Sequence, residues 1–538
     1  MAFRVRAKTK SQTKSDRFYL LFFYRKFRMF QSLAFFICLN ELTNIGSSLA
    51  LKILFAHPAF PPFNSHFAFG LSLAKSLAND GHDVHMLATI RAEGQKLSNE
   101  SADKLTMHYK MTKSKPLEMG SGKLENDTTN IEILNDLELM NKLKAKKFDV
   151  GIAEAFMLTE YSLAVFYFLE LPKTIATHSQ PMSPVHLYLL GVLSKMQSSN
   201  RLASVGEPTL HLPPDSEERR KLIGTRVGDH RNEQLKKRGP EIWEHCINRT
   251  MTKIRQYITE DSLYQQVADQ KYKGLTFPGF GEIFKLTRFF LINSQPDLDF
   301  NQFDIVNDVE KVKFIGGFNL KPIPNAEFKY PYNLDSKKGV VLVSFGTVVN
   351  TTMEQSSTII EAIAETIKKF PNFLFIWKLS QGHPNKTFVG LKNVITELWV
   401  DQKNILANPK TVAFVSHCGM NSVLEGIYNG VPMVCVPFFG DQFYNAESLA
   451  RQNIGLVVDR EQDKKAVQQQ LTVALAKALG QNELLDDKLN KEFNHPEDKI
   501  DLVKLEKVTY EFRHKDIAKT LSDVMKVIDE ELKEERAA

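Results

Sequence analysis

The stretch that decides the fold runs from Phe414 to Gln442, FVSHCGMNSVLEGIYNGVPMVCVPFFGDQ. Ala413 to Val415 is a short apolar run, Ser416 to Gly419 is a turn, and Met420 to Tyr428 has helical periodicity up to a stop at Asn429-Gly430. Met433 to Val436 is the next strand, so the unit reads strand, turn, helix, strand. A helix start offers free N–H groups and a positive dipole end. Backbone amides near Gly419 to Ser422, with the side chains of His417, Asn421 and Ser422, form a set suited to a diphosphate without an obligatory metal. Glu425 lies one turn beyond Asn421 on the same face, where a ribose diol attached to that diphosphate would fall. Asp441 and Gln442 follow the Pro437 turn at the carboxyl end of the second strand, where open α/β sheets bind ligands, and both can accept hydroxyl protons from a hexose. A phosphate site, a ribose site and a sugar site in one βαβ unit point to a nucleotide-sugar.

These residues resemble the signature of the UDP-glycosyltransferases, the family that includes UDP-glucuronosyl- and UDP-glucosyltransferases. The match runs through His417, Gly419, Asn421, Ser422, Glu425, Pro432, Pro437, Asp441 and Gln442. Cys418 stands where many members have glycine. Upstream, Gly339 to Phe345 reads as a buried parallel strand, followed by a loop at Gly346-Thr347 and a helix from about Met353 to Lys369. The resemblance assigns Ser344, Gly346 and Thr347 to the diphosphate and sugar. After a strand at Phe373 to Lys378 it assigns Trp399 to stacking on uracil, with Gln402 beside it. Asp401 departs from the proline usual in the family.

The other half of the chain should supply the chemistry. Leu51 to Ala56 reads as a first strand, and Asn64-Ser65-His66 opens a helix carrying Phe69, Leu73 and Leu77 before Gly81. Val84 to Leu87 begins the next strand. His66 at this helix start matches the catalytic histidine of the family, and the local positive potential is expected to keep its imidazole neutral near pH 7. His57 is a rival that matches no catalytic position of the family. A base histidine needs an orienting carboxylate. Phe148 to Glu154 resembles the family strand ending in that acid, which makes Glu154 the candidate; Asp149 reads as structural. The implied mechanism is inverting: His66 takes the proton of an acceptor hydroxyl, Glu154 steadies the imidazolium, and UDP leaves onto the helix start at His417 to Ser422. Asp297-Leu298-Asp299 spells the DxD of metal-dependent transferases, but it reads as a loop with no strand running into it. No cofactor is expected beyond the UDP-sugar co-substrate, and no metal.

With 538 residues the chain is too long for one core. Alternating strands and helices in both halves argue for an α/β protein of GT-B architecture, two Rossmann-like parallel-sheet domains facing across a cleft, with a C-terminal helix packing back on the first domain. The expected division is a leader at 1–50, an acceptor domain at 51–325, a UDP-sugar domain at 326–480 and a helical tail at 481–538. The boundary falls near Pro322, Pro324 and Pro331. The region from about Ala88 to Glu244 reads as polar and irregular, and the resemblance gives it the acceptor pocket. Val508 to Lys515 resembles the segment that closes back on the first domain. Ile517 to Ala538 reads as a charged amphipathic helix, in place of the transmembrane helix usual in the family.

The formal net charge of +6 is concentrated at the start: the first 28 residues hold nine Lys/Arg against one Asp, leaving the rest near −2. Nothing here argues for nucleic acid. Ser48-Leu49-Ala50 suits signal cleavage before the first strand. An internal start at Met29 and an uncleaved anchor stay open, although the apolar run from Met29 to Leu39 is short of the roughly 20 residues that span a bilayer. The expected location is the endoplasmic reticulum lumen or outside the cell. Sequons at Asn99, Asn126, Asn248, Asn350 and Asn385 suit that route, Asn350 being too close to the donor loop for a glycan. Four cysteines suggest no disulfide framework, and packing accounts for Cys418 and Cys435. Three functions compete: an active transferase of glucose or glucuronic acid to small lipophilic alcohols, phenols or acids, with a detoxifying role; an inactive UDP-sugar-binding protein; and another nucleotide-sugar enzyme such as an epimerase.

Overall fold

A computed structural model of the chain describes residues 50–59, 64–99, 101–113, 129–155, 162–181, 189–190, 260–298, 310–324, 326, 337–347, 349, 354–380, 388, 390–438, 441–460, 463–485, 489 and 499–538. The leader, most of the boundary after Pro324, Asp299, and the sequons at Asn126, Asn248, Asn350 and Asn385 lie outside them.

The first domain is built on β1 (Lys52–Pro58), α1 (Asn64–Asn79), β2 (Asp83–Ile90), β3 (Thr106–Met111), β4 (Val150–Glu154), β5 (Lys173–His178), β6 (Phe289–Ile292) and β7 (Val312–Phe314). Its seven strands order as β3-β2-β1-β4-β5-β6-β7, all parallel. The second domain has β8 (Gly339–Ser344), α2 (Glu354–Ile367), β9 (Phe373–Lys378), β10 (Val394–Glu397), α3 (Gln402–Ala407), β11 (Thr411–Ser416), α4 (Met420–Tyr428), β12 (Met433–Cys435), α5 (Gln442–Arg451) and β13 (Gly455–Val457). Its sheet repeats the pattern as β10-β9-β8-β11-β12-β13. Two tail helices follow, α6 (Leu502–Arg513) and α7 (Ile517–Ala537).

Both sheets are doubly covered, which is why their strands read as continuous apolar runs. Ile53, Phe55, Val84 and Val150 face α1 through Phe69, Leu73 and Leu77, while Leu54, Ala56 and Ala153 face Leu163 and Phe166 on the other side. In the second sheet Val341, Val343 and Phe375 meet Ile359 and Ile363 of α2. Val340, Leu342 and Phe414 meet Val423, Leu424 and Ile427 of α4. In each sheet the strand order reverses beside the first strand, between β1 and β4 and between β8 and β11. Crevices at such reversals are where this architecture binds ligands.

Three expectations are corrected. A strand does run towards Asp297: β6 ends at Ile292, and Pro296–Leu298 forms one 3-10 turn. Four consecutive apolar residues buried on both faces show no alternation, so the strand is silent in the pattern. The region after Ala88 is not irregular throughout, since β3, β4, β5 and the helices Thr129–Asn135, Leu137–Lys144 and Ser162–Phe168 lie within it. Finally, Val508 to Lys515 packs mainly on the second domain: Thr509 Oγ1 donates to Ile427 O and Arg513 Nε to Tyr428 O, at 2.7 and 2.6 Å. The return to the first domain is made by α7. Its Leu521, Val524, Met525, Ile528 and Leu532 join the core of β1, β2 and α1, and Glu531 and Arg536 pair with Arg288 and Asp149.

Candidate active site

Glu154 ends β4 and His57 lies near the end of β1, its neighbour at the switch point, so adjacent strands carry both side chains to the same sheet edge. His66, in the first turn of α1, reaches the same place. Its Nδ1 lies 2.6 Å from Glu154 Oε1, and His57 Nε2 lies 2.9 Å from Glu154 Oε2. Ser179, directly after β5, donates its N–H to Glu154 Oε1 at 3.1 Å and sets its hydroxyl 2.6 Å from His66 Nδ1. Glu154 is wholly buried. Burial would push its carboxyl up, yet the charge of His66 and hydrogen bonds from both histidines hold it well below the usual carboxylate range. An ionised carboxylate in such a place is tolerable only with partners of this kind.

Burial pulls the pKa of His66 down, but the neighbouring Glu154, with a smaller contribution from Asp441, raises it above 6.5 on balance. The shift is thus opposite in direction to the one expected from the helix start. A carboxylate at hydrogen-bond distance outweighs the partial charge of a helix start.

The donor side is assembled at the switch point of the second sheet. Gly419 caps α4 with extended backbone and no side-chain hydrogen bond, which leaves the amides that follow Met420 in the first turn to ligands. The His417 ring lies against two glycines: a Cβ on Gly346 would sit 2.6 Å from its Nε2, and one on Gly419 2.8 Å. Burial, reinforced by the charge of Lys378, lowers the pKa of His417 to about 4, so it serves as a neutral hydrogen-bonding group. Lys378 Nζ donates to Gly346 O at 2.6 Å, fixing the loop after β8. Ser344 is buried at the end of that strand with its hydroxyl unpartnered, and Thr347 is exposed on the loop beyond.

Glu425 is held by Gln402, whose Nε2 donates to Glu425 Oε2 at 2.8 Å and to Ser422 Oγ at 3.2 Å. Burial raises the Glu425 pKa, opposed by the Gln402 hydrogen bond. Asp401 caps α3 by accepting from Asn404 N; the residue that replaces the family proline thus supplies its own local order. Just before it, Trp399 is 72% exposed. Asp441 Oδ2 accepts from Asn445 Nδ2 at 2.7 Å and from Met420 N at 3.3 Å, linking α5 to the start of α4. Burial pushes its pKa up. Gln442 is buried and spends its Oε1 on Phe438 N, at 2.8 Å, inside the turn. Asn421 is exposed and accepts from Asn293 of the first domain.

Cys418 and Cys435 form a disulfide across 17 residues, correcting the view that packing alone explains them. Cys418 has φ of 59°, the left-handed region where glycine sits at no cost. Ser179, Asn293 and Lys378 were also not singled out as site residues, and His57 was set aside as a rival of His66. All four lie at or just beyond the carboxyl ends of strands that border a switch point or the cleft, which is the signal that could have found them.

Residues 250–493 match the family model described as UDP-glucoronosyl and UDP-glucosyl transferase. UDP-glucuronosyltransferase 3A1 of Xenopus laevis is 26% identical over 62% of this chain and 56% of its own length. Human UDP-glucuronosyltransferase 1A10 is 29% identical over 40% and 39%. The first curated relatives are thus matched over no more than 60% of their length. Among solved structures, Os79 from O. sativa in complex with UDP superposes with a TM-score of 0.55 over 89% of this chain and all of its own, at 16% identity, which shows the shared two-domain fold. The family model over residues 250–493 and the curated relatives all point the same way: this chain is similar to the UDP-glycosyltransferases.

Proposed function

We propose that the protein is an inverting glycosyltransferase that moves glucose or glucuronic acid from a UDP-sugar to a hydroxyl or carboxyl of a small lipophilic acceptor. The observation that carries this reading is the 2.6 Å contact between His66 Nδ1 and Glu154, in a cleft where Asp441 of the second domain is near enough for its charge to raise the His66 pKa. The sugar then lies beside Asp441, which is tied to the start of α4, with its anomeric carbon between His66 and the diphosphate. Neither a pure binding protein nor an epimerase has use for a histidine and carboxylate aimed across the sugar.

With Nδ1 committed to Glu154, Nε2 takes the acceptor proton, and the oxygen attacks opposite UDP. Glu154, fixed by Ser179 N–H, stabilises the imidazolium that results. The diphosphate leaves onto the amides of Asn421 and Ser422, the neutral His417 and the Ser344 hydroxyl. Glu425, held by Gln402, receives the ribose, and Trp399 stacks on the base. Among the described residues no cluster of His, Cys, Asp or Glu has the arrangement of a metal site. The Asp297 side chain and Asp299 fall outside that set. No described helix is long and apolar enough to cross a membrane. A lumenal or secreted location is our reading, supported by the disulfide, which persists in oxidising compartments.

The test is UDP release by the purified protein with UDP-glucose and UDP-glucuronic acid over a panel of phenols and alcohols, beside His66→Ala. Acceptor-dependent release should fall about a hundredfold or more in the variant. Release absent from the wild type while UDP-sugar still binds would refute transfer.

A further inference from the structure

Glu154 has more partners than the orientation of one histidine requires. Oε1 serves His66 and the Ser179 N–H, while Oε2 is taken by His57, whose side chain is as deeply buried as the carboxylate, 3% and 0% exposed. The other nitrogen of His57, Nδ1, lies 3.0 Å from Pro58 O. A carbonyl only accepts, and two lone pairs facing each other across 2.9 Å would repel. A hydrogen must therefore lie between His57 Nε2 and Glu154 Oε2. The ring also packs edge-on against Phe67, with centroids 5.7 Å apart, and a Cβ on Gly70 would lie 3.0 Å from its Cδ2. An apolar side chain of similar size would satisfy those contacts equally. The hydrogen bond is what sets histidine apart at this position.

We propose that His57 is a positioning residue for the base: by pinning the second oxygen of Glu154 it keeps the first on His66 Nδ1, and by sharing the carboxylate's charge it sets how strongly His66 holds the acceptor proton. The inference rests on the transfer reading above. The charged groups acting on this trio are Glu154 on β4, His66 on α1 and, from the second domain, Asp441 at the start of α5. Ser179 contributes a neutral N–H and hydroxyl. A lone His66–Glu154 pair would concentrate the carboxylate on one imidazole and make a base that is slow to release its proton. Division between two histidines moderates it.

The experiment compares His57→Leu, which deletes the donor, with His57→Gln, whose amide nitrogen falls near the position of Nε2. The full chain is used, with folding checked by circular dichroism. His57→Leu should lower kcat by about tenfold or more while both KM values stay within about threefold. The His66 titration, followed by NMR of its ring Cε1 carbon, should move up by about half a unit or more, and the acid limb of the rate profile should move with it. His57→Gln should stay within about threefold of wild type in kcat, with the His66 midpoint unmoved. If the leucine variant does not fold, His57→Asn carries the same prediction, since its amide stops short of Oε2. Equal losses in the glutamine and deleting variants, or a His66 midpoint that the deletion leaves in place, would overturn the proposal. A wild type that transfers no sugar refutes the transfer reading instead, and the NMR titration still decides the role of His57.

Discussion

Asn293 Nδ2 donates to Asn421 Oδ1 at 2.8 Å, joining the residue after β6 in the first domain to the first turn of α4 in the second. The same amide group donates to Ser179 O at 3.1 Å, and Ser179 holds both Glu154 and His66. A continuous hydrogen-bonded path thus runs from the donor helix to the base. Asn293→Ala should lower kcat/KM for the donor about tenfold, as loss of one buried and one part-buried bond implies. Combined with Asn421→Ala, the losses should fall short of additivity by about 1 kcal/mol. A double-mutant cycle on kcat/KM measures this, and strict additivity would show that the path carries no coupling.

Glu154→Gln removes the charge that raises the His66 pKa. The acid limb of the rate profile should move to lower pH while kcat falls about a hundredfold, because the imidazolium loses its counter-charge. Stability should change as well. The Glu154 pKa is depressed in the fold, so its contribution is fully present above the unfolded value of about 4.3 and is lost as pH falls below it. His66 acts in the opposite sense: its contribution is present below about 6.5 and fades as pH rises through its raised folded value. Thermal midpoints of wild type and Glu154→Gln across pH 3 to 8 should converge at the acid end.

The Cys418–Cys435 bond closes a 17-residue separation, for which chain entropy predicts about 3 kcal/mol. Cys435→Ser should lose that stabilisation and keep Cys418 in its left-handed conformation. Cys418→Gly should be the milder change, because relief of the backbone offsets about 1 kcal/mol. Calorimetric melting should rank wild type above Cys418→Gly and Cys418→Gly above Cys435→Ser. The reverse order of the two variants would contradict the backbone argument.

Trp399 is exposed and contributes little to packing, so Trp399→Ala should leave stability within about 0.5 kcal/mol of wild type. UDP affinity should fall about tenfold or more if the indole stacks on the base, a contact worth about 1–3 kcal/mol. Titration calorimetry with UDP reads this directly, and unchanged affinity would remove Trp399 from the donor site.

What the sequence disclosed follows the range of each interaction. The helix Met420–Tyr428 and the strand Phe373–Lys378 have the bounds their apolar periodicity implies, because turns and caps are local. His66 and Glu154 were identified through the family resemblance. Ser179 and Asn293 were missed, and His57 was weighed only as a rival to His66, because their roles depend on which strands are neighbours, a property of topology that a linear pattern does not carry. Strand β6 was missed since a run buried on both faces has no period. The protonation tendency of His66 was misjudged because a helix start is visible in sequence, whereas a carboxylate 88 residues away lying 2.6 Å from the ring is not. The disulfide was hidden for the same reason: only the parallel pairing of β11 with β12 brings Cys418 beside Cys435.

The core that opens with Leu51 and Ile53 is completed by Leu521, Val524, Met525, Ile528 and Leu532 of α7. A ribosome delivers those two parts at opposite ends of synthesis, so the domain that emerges first is finished last. Throughout translation of the second domain, the part of that core which α7 seals beside α1 waits uncovered, and that interval is when a chaperone would have most to hold.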